Sequence, residues 1–435
     1  MSKKLLWLLV PLLLAPAIYF GATKFFLPKD QPTVNATGTL KLWGLWENAD
    51  MSAFLFERFK NIYPNVKIEY EERNLGGLAE YKDLVFTRLL EGTTPDVILV
   101  HASWIPEMLS YLTPAPESVF MVNSFSQEVY PSVSRVCVLG GLVVCAAPSF
   151  DDLALVYNKE MFLGSGLMEA PKTWDDFRFF AKKLTVHDDS GKIILAGAAI
   201  GATKNVAYAS DILGLMLLQN NIKIPEGLDS KEAQDVLAYY SDFVKVDKVW
   251  DGTQQNSLEA LAQGKVAMVF APSRALLGVL NSVSNVDLAV APVPQIPNPD
   301  GKTLTNKNWA SFWVFVVPLS SQNSKVAWDF IKYVTSKEEL LQQYEAQSLY
   351  RVFGQILPLK ELSETIGKNE YLAPYILGAE NAEVSLLSAG SGNDPYVTAI
   401  NSAIDEVLLG KTAQDALTSA KTTLTTLLTT KRKKR

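Results

Sequence analysis

The residues able to carry proton or metal chemistry are few. His101 and His187 are the two histidines of the chain. No G-x-S-x-G, Walker A, G-x-G-x-x-G after a strand, or H-E-x-x-H occurs, which excludes the common hydrolase, kinase and zinc designs and leaves no cofactor or metal to expect. Asp151-Asp152 is an adjacent acidic pair in a plausible site position, and paired carboxylates can run glycoside hydrolysis. Neighbours on extended backbone point apart, however, so this pair is expected to bind sugar hydroxyls or to face water in a loop. Aromatics are more suggestive. Trp43, Trp46, Trp104, Trp309 and Trp313 fall at or near predicted strand ends or loops. An indole face there can stack on the C–H face of a pyranose while carboxylates and amides take its hydroxyls. Trp43 and Trp313 lie within predicted strands and are expected to pack; Trp46, Trp104 and Trp309 are the expected platform.

The elements that would position these groups alternate short apolar strands with amphipathic helices, the pattern of an α/β fold with a mainly parallel sheet. Thr39 to Trp46 reads as a strand, Ser52 to Tyr63 as a helix stopped by Pro64, and Val66 to Tyr70 as a second strand. A helix over Leu78 to Leu90 ends at Gly92, and Val97 to Val100 reads as a strand buried on both faces. Past Pro148, strands are expected at Leu153 to Tyr157, Val266 to Phe270 and Phe312 to Val317. Helices are expected at Trp174 to Leu184, Asp211 to Leu218, Lys231 to Phe243, Lys325 to Val334 and Glu338 to Gln347. Pro358 to Leu428 reads as almost wholly helical.

A chain of 435 residues is too long for one core and implies two lobes. A formal net charge of −6 offers no field for a phosphate backbone, so nucleic acid is excluded as a partner. The basic run 431–435 is expected to be a solvated tail. At the other end, Lys3 and Lys4 precede an apolar stretch from Leu5 to Ala22, which sets the segment to enter a membrane from the cytoplasm and exports the body. Residues 1–27 are expected to be an uncleaved anchor or a signal segment, and 28–38 a linker. Cys137 and Cys145 flank Gly140-Gly141 in a hairpin-like run. A two-residue turn puts them on opposite faces of the ribbon, whereas a three-residue loop puts them opposite one another and permits a disulfide. Buried thiols are the expectation.

Certain stretches carry a resemblance. Thr39-Leu-Lys-Leu-Trp-Gly-Leu-Trp, Tyr63-Pro-Asn-Val-Lys-Ile and Thr94-Pro-Asp-Val-Ile-Leu come first. Leu153-Ala-Leu-Val-Tyr-Asn-Lys-Glu-Met-Phe, Pro171-Lys-Thr-Trp-Asp-Asp-Phe, Ala262-Gln-Gly-Lys-Val-Ala-Met and Ala291-Pro-Val-Pro follow in order. From Thr39 to Leu428 the chain resembles the family-1 extracellular solute-binding proteins of ABC importers, the group that includes maltose-binding protein. The resemblance implies a two-lobed type II periplasmic-binding-protein fold whose chain crosses between lobes three times, near Ser149, Asn308 and Arg351. Lobe I would then comprise 39–150 and 308–350, and lobe II 151–307 and 351–430. It implies a monomeric receptor, not an enzyme, at the extracytoplasmic face of the membrane, with a carbohydrate ligand in the inter-lobe cleft and permease subunits as partners. The rival readings are an anchored carbohydrate-active hydrolase and a receptor for peptide or wall polymer not coupled to transport. Carried over by position, the contacts are Trp46, Glu47, His101, Trp104, Asp151 and Asp152 from the first lobe and crossing, and Asn205, Tyr208, Asp211, Pro272, Ser273 and Arg274 from the second lobe. Trp309 at the second crossing and Tyr396 late in the chain complete the set. The stretch Cys145-Ala-Ala-Pro-Ser-Phe departs from the Gly-x-Pro pattern frequent in the family.

Overall fold

The computed structural model describes residues 36–45, 49–73, 77–283, 285–388 and 394–433. The expected anchor 1–27 and most of the linker lie outside the described residues. No described helix is long and apolar enough to cross a membrane.

The first lobe is built on repeated β-α-β units. Strand β1 (Gly38–Gly44) leads into helix α1 (Ala49–Ile62), β2 (Val66–Glu72), α2 (Leu78–Glu91) and β3 (Val97–His101). Gly92 ends α2 because the chain turns there with φ of 67°, a conformation that glycine adopts without a Cβ clash, and its amide closes the last turn onto Arg88 and Leu89. β1 pairs in parallel with both β2 and β3.

After β3 the chain folds a short helix, α3 (Pro131–Cys137), and a small hairpin of residues 138–139 and 142–143. The turn is the two-residue kind, with Gly140 and Gly141 both at positive φ and Leu139 opposite Leu142. Cys137 and Cys145 are nonetheless joined in a disulfide, with Cα atoms 4.8 Å apart. The expectation of two thiols fails because Cys137 is not a strand residue: it ends α3, so the alternation of strand faces does not govern where its sulfur points.

The second lobe begins with β4 (Leu153–Asn158) and runs through α4 (Trp174–Leu184), α5 (Ala209–Gln219) and α6 (Lys231–Lys245) to β5 (Met268–Pro272), α7 (Ser273–Ser282) and β6 (Leu288–Ala291). β4 is central, with β5 and β6 both antiparallel to it, so the mainly parallel expectation holds only for the first lobe. The reason is topological: β4 enters from the other lobe and is threaded between two strands that run against it. Strand β5 also starts later than the apolar run at Val266 implies, and its last residue opens α7.

The chain then returns. β7 (Asn308–Ala310) pairs with the later strand β9 (Ala382–Val384), and β8 (Trp313–Val316) completes the first sheet antiparallel to β3, in the order β8-β3-β1-β2. Helix α8 (Ser324–Val334) covers that sheet, bringing Phe330 edge-on to Phe59 of α1. Further on come the C-terminal helices α9 (Pro395–Leu408) and α10 (Ala413–Lys433), which pack on α6 in the second lobe. β9 interrupts the stretch expected to be almost wholly helical, because its backbone finds a partner in β7.

Candidate functional site

In open α/β sheets the ligand crevice lies beyond the carboxyl ends of the strands. In the first lobe that end is His101, which closes β3 and starts the turn Ala102–Trp104. His101 Nδ1 accepts the Ser103 amide at 3.2 Å, which leaves the proton on Nε2 to be donated to Ser311 Oγ at 3.1 Å. Ser311 Oγ in turn donates to the Ser388 carbonyl at 2.7 Å. Burial, and then the charge of Lys82, push the imidazole down to about 3. It stays neutral, and both ring nitrogens already have partners within the protein. Trp104, Trp313, His101 and Tyr81 form one aromatic group, with Trp104 edge-on to Trp313 at 5.4 Å. Trp104 is 1% exposed and its Nε1 is buried without a hydrogen-bond partner.

At the first crossing, Asp151 is engaged throughout. Its Oδ1 accepts the amides of Ser273 at 2.8 Å and Asp152 at 3.0 Å, its Oδ2 accepts that of Arg274 at 3.1 Å, and its carbonyl accepts Ser311 N at 2.9 Å. A carboxylate on the first amides of α7 satisfies donors that the helix cannot satisfy itself and complements its dipole. Asp151 therefore caps a helix of the second lobe, with both carboxylate oxygens engaged by backbone amides. Ser273 and Pro272 are held in the same contact, Ser273 by its amide and Pro272 as the residue before the helix. Asp152 is buried, with Oδ2 accepting Asn308 Nδ2 at 2.7 Å and Oδ1 without a partner. Gly378 lies directly over this pair, leaving no room for a Cβ.

In the second lobe Asp211 accepts the Trp309 indole N–H at 2.8 Å, and the Trp309 ring lies where a side chain at Gly214 would otherwise stand. The Trp309 indole N–H is taken by Asp211 and its ring is packed on α5, so it is not an open platform. Asp211 Oδ2 is buried without a partner. Tyr208 precedes α5 with φ of 61°, a left-handed conformation uncommon for a residue with a Cβ. Its phenol is pushed up by burial and by the charges of Asp211 and Asp151, and Arg274, which is exposed, acts on it in the opposite direction. These groups are brought together. Asn205 is not among them: its Nδ2 donates to the carbonyls of Asp251 and Gln254, both at 2.9 Å, and its Oδ1 accepts Trp250 Nε1 at 2.9 Å. With its amide used in this way, Asn205 anchors a loop. Trp46 and Glu47 lie outside the described residues.

Tyr396 is buried beside Lys82, whose ammonium stands 5.3 Å from its ring and 5.5 Å from that of Trp104. Lys82, Ser311, Asn308, Tyr375 and Asp394 all belong to this region and were missed by sequence reasoning. Lys82 was detectable, since it falls on the same helical stripe as Tyr81, Val85 and Leu89, where a charge needs a partner.

The buried carboxyls set a pH dependence. Burial raises Asp151 to about 6 and Asp211 to about 7, and burial together with the charge of Asp151 raises Asp152 well above the usual range. A carboxyl that holds its proton more tightly when folded favours the folded state below its unfolded value, and that advantage is lost as pH rises through its folded value. His101, depressed, works in the opposite sense up to about pH 6.5. The lowered surface carboxylates such as Asp188 and Asp300 act below about pH 4. With these carboxyls outnumbering the imidazole, Tm is expected to fall as pH rises from about 5 to about 7.5, and Asp211→Asn is expected to flatten the profile. Calorimetry across that range checks it. A profile unchanged by the substitution would refute the assignment.

Residues 47–340 match the family described as Bacterial extracellular solute-binding protein. The chain belongs to this family. Membership places the body of this solute-binding protein outside the cytoplasm. Among similar proteins, an uncharacterized ABC transporter extracellular-binding protein of Pyrococcus horikoshii is 24% identical over 283 residues, covering 58% of this chain. The Maltotriose-binding protein of Pyrococcus abyssi is 20% identical over 316 residues, covering 71% of this chain. The chain spans 64% of the length of each. An ABC transporter solute-binding protein of Thermotoga lettingae, solved with alpha-D-tagatose, superposes with a TM-score of 0.70 at 21% identity, covering 90% of this chain and 100% of that one. A cyclo/maltodextrin-binding protein complexed with maltotetraose gives 0.70 at 18% identity, covering 91% and 98%. The likeness shows that this solute-binding protein has the two-lobed periplasmic-binding-protein fold.

Proposed function

We propose that this solute-binding protein captures a mono- or oligosaccharide between its lobes and delivers it to the permease of an ABC importer. The observation that carries the reading is that buried polar atoms with no protein partner stand beside aromatic rings at two places, Trp104 Nε1 with Trp313 at the carboxyl end of β3 and Asp211 Oδ2 with Trp309 and Tyr208 at the start of α5. Buried polar groups are nearly always hydrogen-bonded, and a polyhydroxylated ring offers donors and acceptors together with apolar C–H faces. Of the predicted set, Trp104, Asp152, Tyr208, Asp211, Arg274 and Tyr396 remain the ligand contacts we propose, with Trp46 and Glu47 from the end of the first strand.

The same geometry argues for a receptor over a hydrolase. Glycoside cleavage needs one carboxyl to donate a proton and a second to act on the opposite face of the sugar. Asp151 is committed to the amides of α7, which removes it from that work. The named ligands of similar proteins support a sugar; the apolar segment at Leu5 to Ala22 supports a receptor kept near the membrane, and we propose that it works as a monomer. A thermal-shift screen over maltotriose, maltotetraose, tagatose and unrelated peptides tests the reading. A sugar at a hundred times its Kd is expected to stabilise the folded state by about 2.7 kcal/mol and to raise Tm by a few degrees. Tm unmoved by every sugar, or release of free monosaccharide from an oligosaccharide during incubation, would overturn it.

A further inference from the structure

Lys82 and Asp394 lie on opposite lobes and meet in a buried ion pair. Lys82 Nζ stands 2.9 Å from Asp394 Oδ2, with the two side chains 10% and 3% exposed. Lys82 belongs to α2, which packs on the first sheet, and Asp394 caps α9 of the second lobe, its Oδ1 accepting the Tyr396 amide at 2.9 Å. The ammonium sits between one aromatic ring from each lobe, Trp104 and Tyr396. Burying two charges removes their hydration, and such a pair is weak evidence for stability; its best attested use is to fix one arrangement against others.

Each partner also keeps a companion on its own lobe. Glu107 Oε1 is 3.9 Å from Lys82 Nζ, and the cap on α9 uses the other oxygen of Asp394. The contact between lobes can therefore break without leaving either charge alone, which is what a contact that opens and closes requires. From this we infer that Lys82 and Asp394 are the positioning pair of the cleft: their contact holds the lobes in register around Trp104 and Tyr396 and keeps the closed arrangement populated before any ligand arrives. The ligand-affinity part of this inference rests on the sugar-capture reading above; the ligand-free part does not.

The test uses the full-length chain in detergent, spin-labelled at Leu90→Cys on the first lobe and Phe179→Cys on the second, both exposed positions. The native cysteines are in the disulfide and take no label. Asp394→Asn is the main variant, because asparagine caps a helix as well as aspartate does and only the charge is lost. Pulsed dipolar distances without ligand are expected to lengthen in Asp394→Asn and in Lys82→Met, and to return toward wild type in Lys82→Arg. Maltotriose affinity is expected to fall at least tenfold in either variant, the double variant losing no more than the worse single one. Ligand-free distances that do not change in Asp394→Asn would overturn the inference, whether or not maltotriose binds. So would losses in affinity that simply add in the double variant. Failure of the wild-type chain to bind any sugar would instead count against the capture reading while leaving the ligand-free distances to decide the role of the pair.

Discussion

Tyr208→Gly is expected to cost this solute-binding protein about thirtyfold or more in sugar affinity while leaving its fold intact. Tyr208 holds φ of 61° and ψ of 26°, a conformation that costs a residue with a Cβ about 1 kcal/mol or more and that glycine adopts freely. Relief of that strain offsets much of the apolar burial lost with a partly exposed ring, about 1 to 2 kcal/mol, so Tm should stay within a few degrees of wild type. Strain of this kind persists where the surroundings over-determine it, and it clusters at binding sites. Here the surroundings are Asp211, Asp151 and Arg274, whose charges all reach the phenol. An aromatic anchor removed from the centre of a site commonly costs about 2 kcal/mol or more, the thirtyfold expected. Titration calorimetry with whichever sugar raises Tm measures it, and Tyr208→Phe, which keeps the ring face, should retain most of the affinity. Normal binding by Tyr208→Gly would mean that the ligand lies elsewhere than at the start of α5.

Asn205→Ala is expected to do the reverse, unfolding the protein more easily without a direct effect on the ligand. The substitution strands a buried indole N–H, that of Trp250, and removes the donors to two loop carbonyls. Each buried polar group left without a partner costs about 1 to 3 kcal/mol, so a total of about 3 kcal/mol is reasonable. The loop carrying Asp251 and Gln254 should loosen first, since the Asn205 carbonyl also holds Ser257 at the start of the next helix. Denaturant unfolding followed by Trp fluorescence checks the loss in stability, and calorimetry on the folded variant checks the affinity. Reduced sugar affinity with unchanged unfolding would restore Asn205 to the site.

The contrast between these residues shows what was legible in the sequence. Tyr208 and Asn205 stand three positions apart, both of a type that can hold a sugar, and local sequence could not separate them. What separates them is the partner each meets: Asn205 finds Trp250 and the loop that follows it, whereas Tyr208 stands against Asp211 and Asp151. A polar residue's partners are set by contacts between distant segments, and one chain's residue order does not contain them.

Local order was a different matter. The strands and helices of the first lobe were readable because an apolar stripe repeats at the period of its element, and breakers such as Pro64 and Gly92 act on their own backbone. Leu153 to Tyr157 was readable as a strand for the same reason, but its antiparallel neighbours were not, because direction is decided by where the chain enters the sheet. The expectation of two thiols failed on a finer point, a cysteine one residue outside the hairpin and still helical.

By itself, then, the sequence determined the α/β class and the order of most elements, which follow from periodic burial, and its length implied two lobes; the family came from the resemblance carried by particular stretches. Only the tertiary structure decided that Asp151 caps a helix of the second lobe more than a hundred residues on, that Trp309 is covered by Asp211 and Gly214, and that Lys82 reaches Asp394. A stripe of apolar residues must face a core whatever the core is. The place of a charge is set by the one partner that relieves its desolvation, and for Lys82 that partner lies 312 residues away.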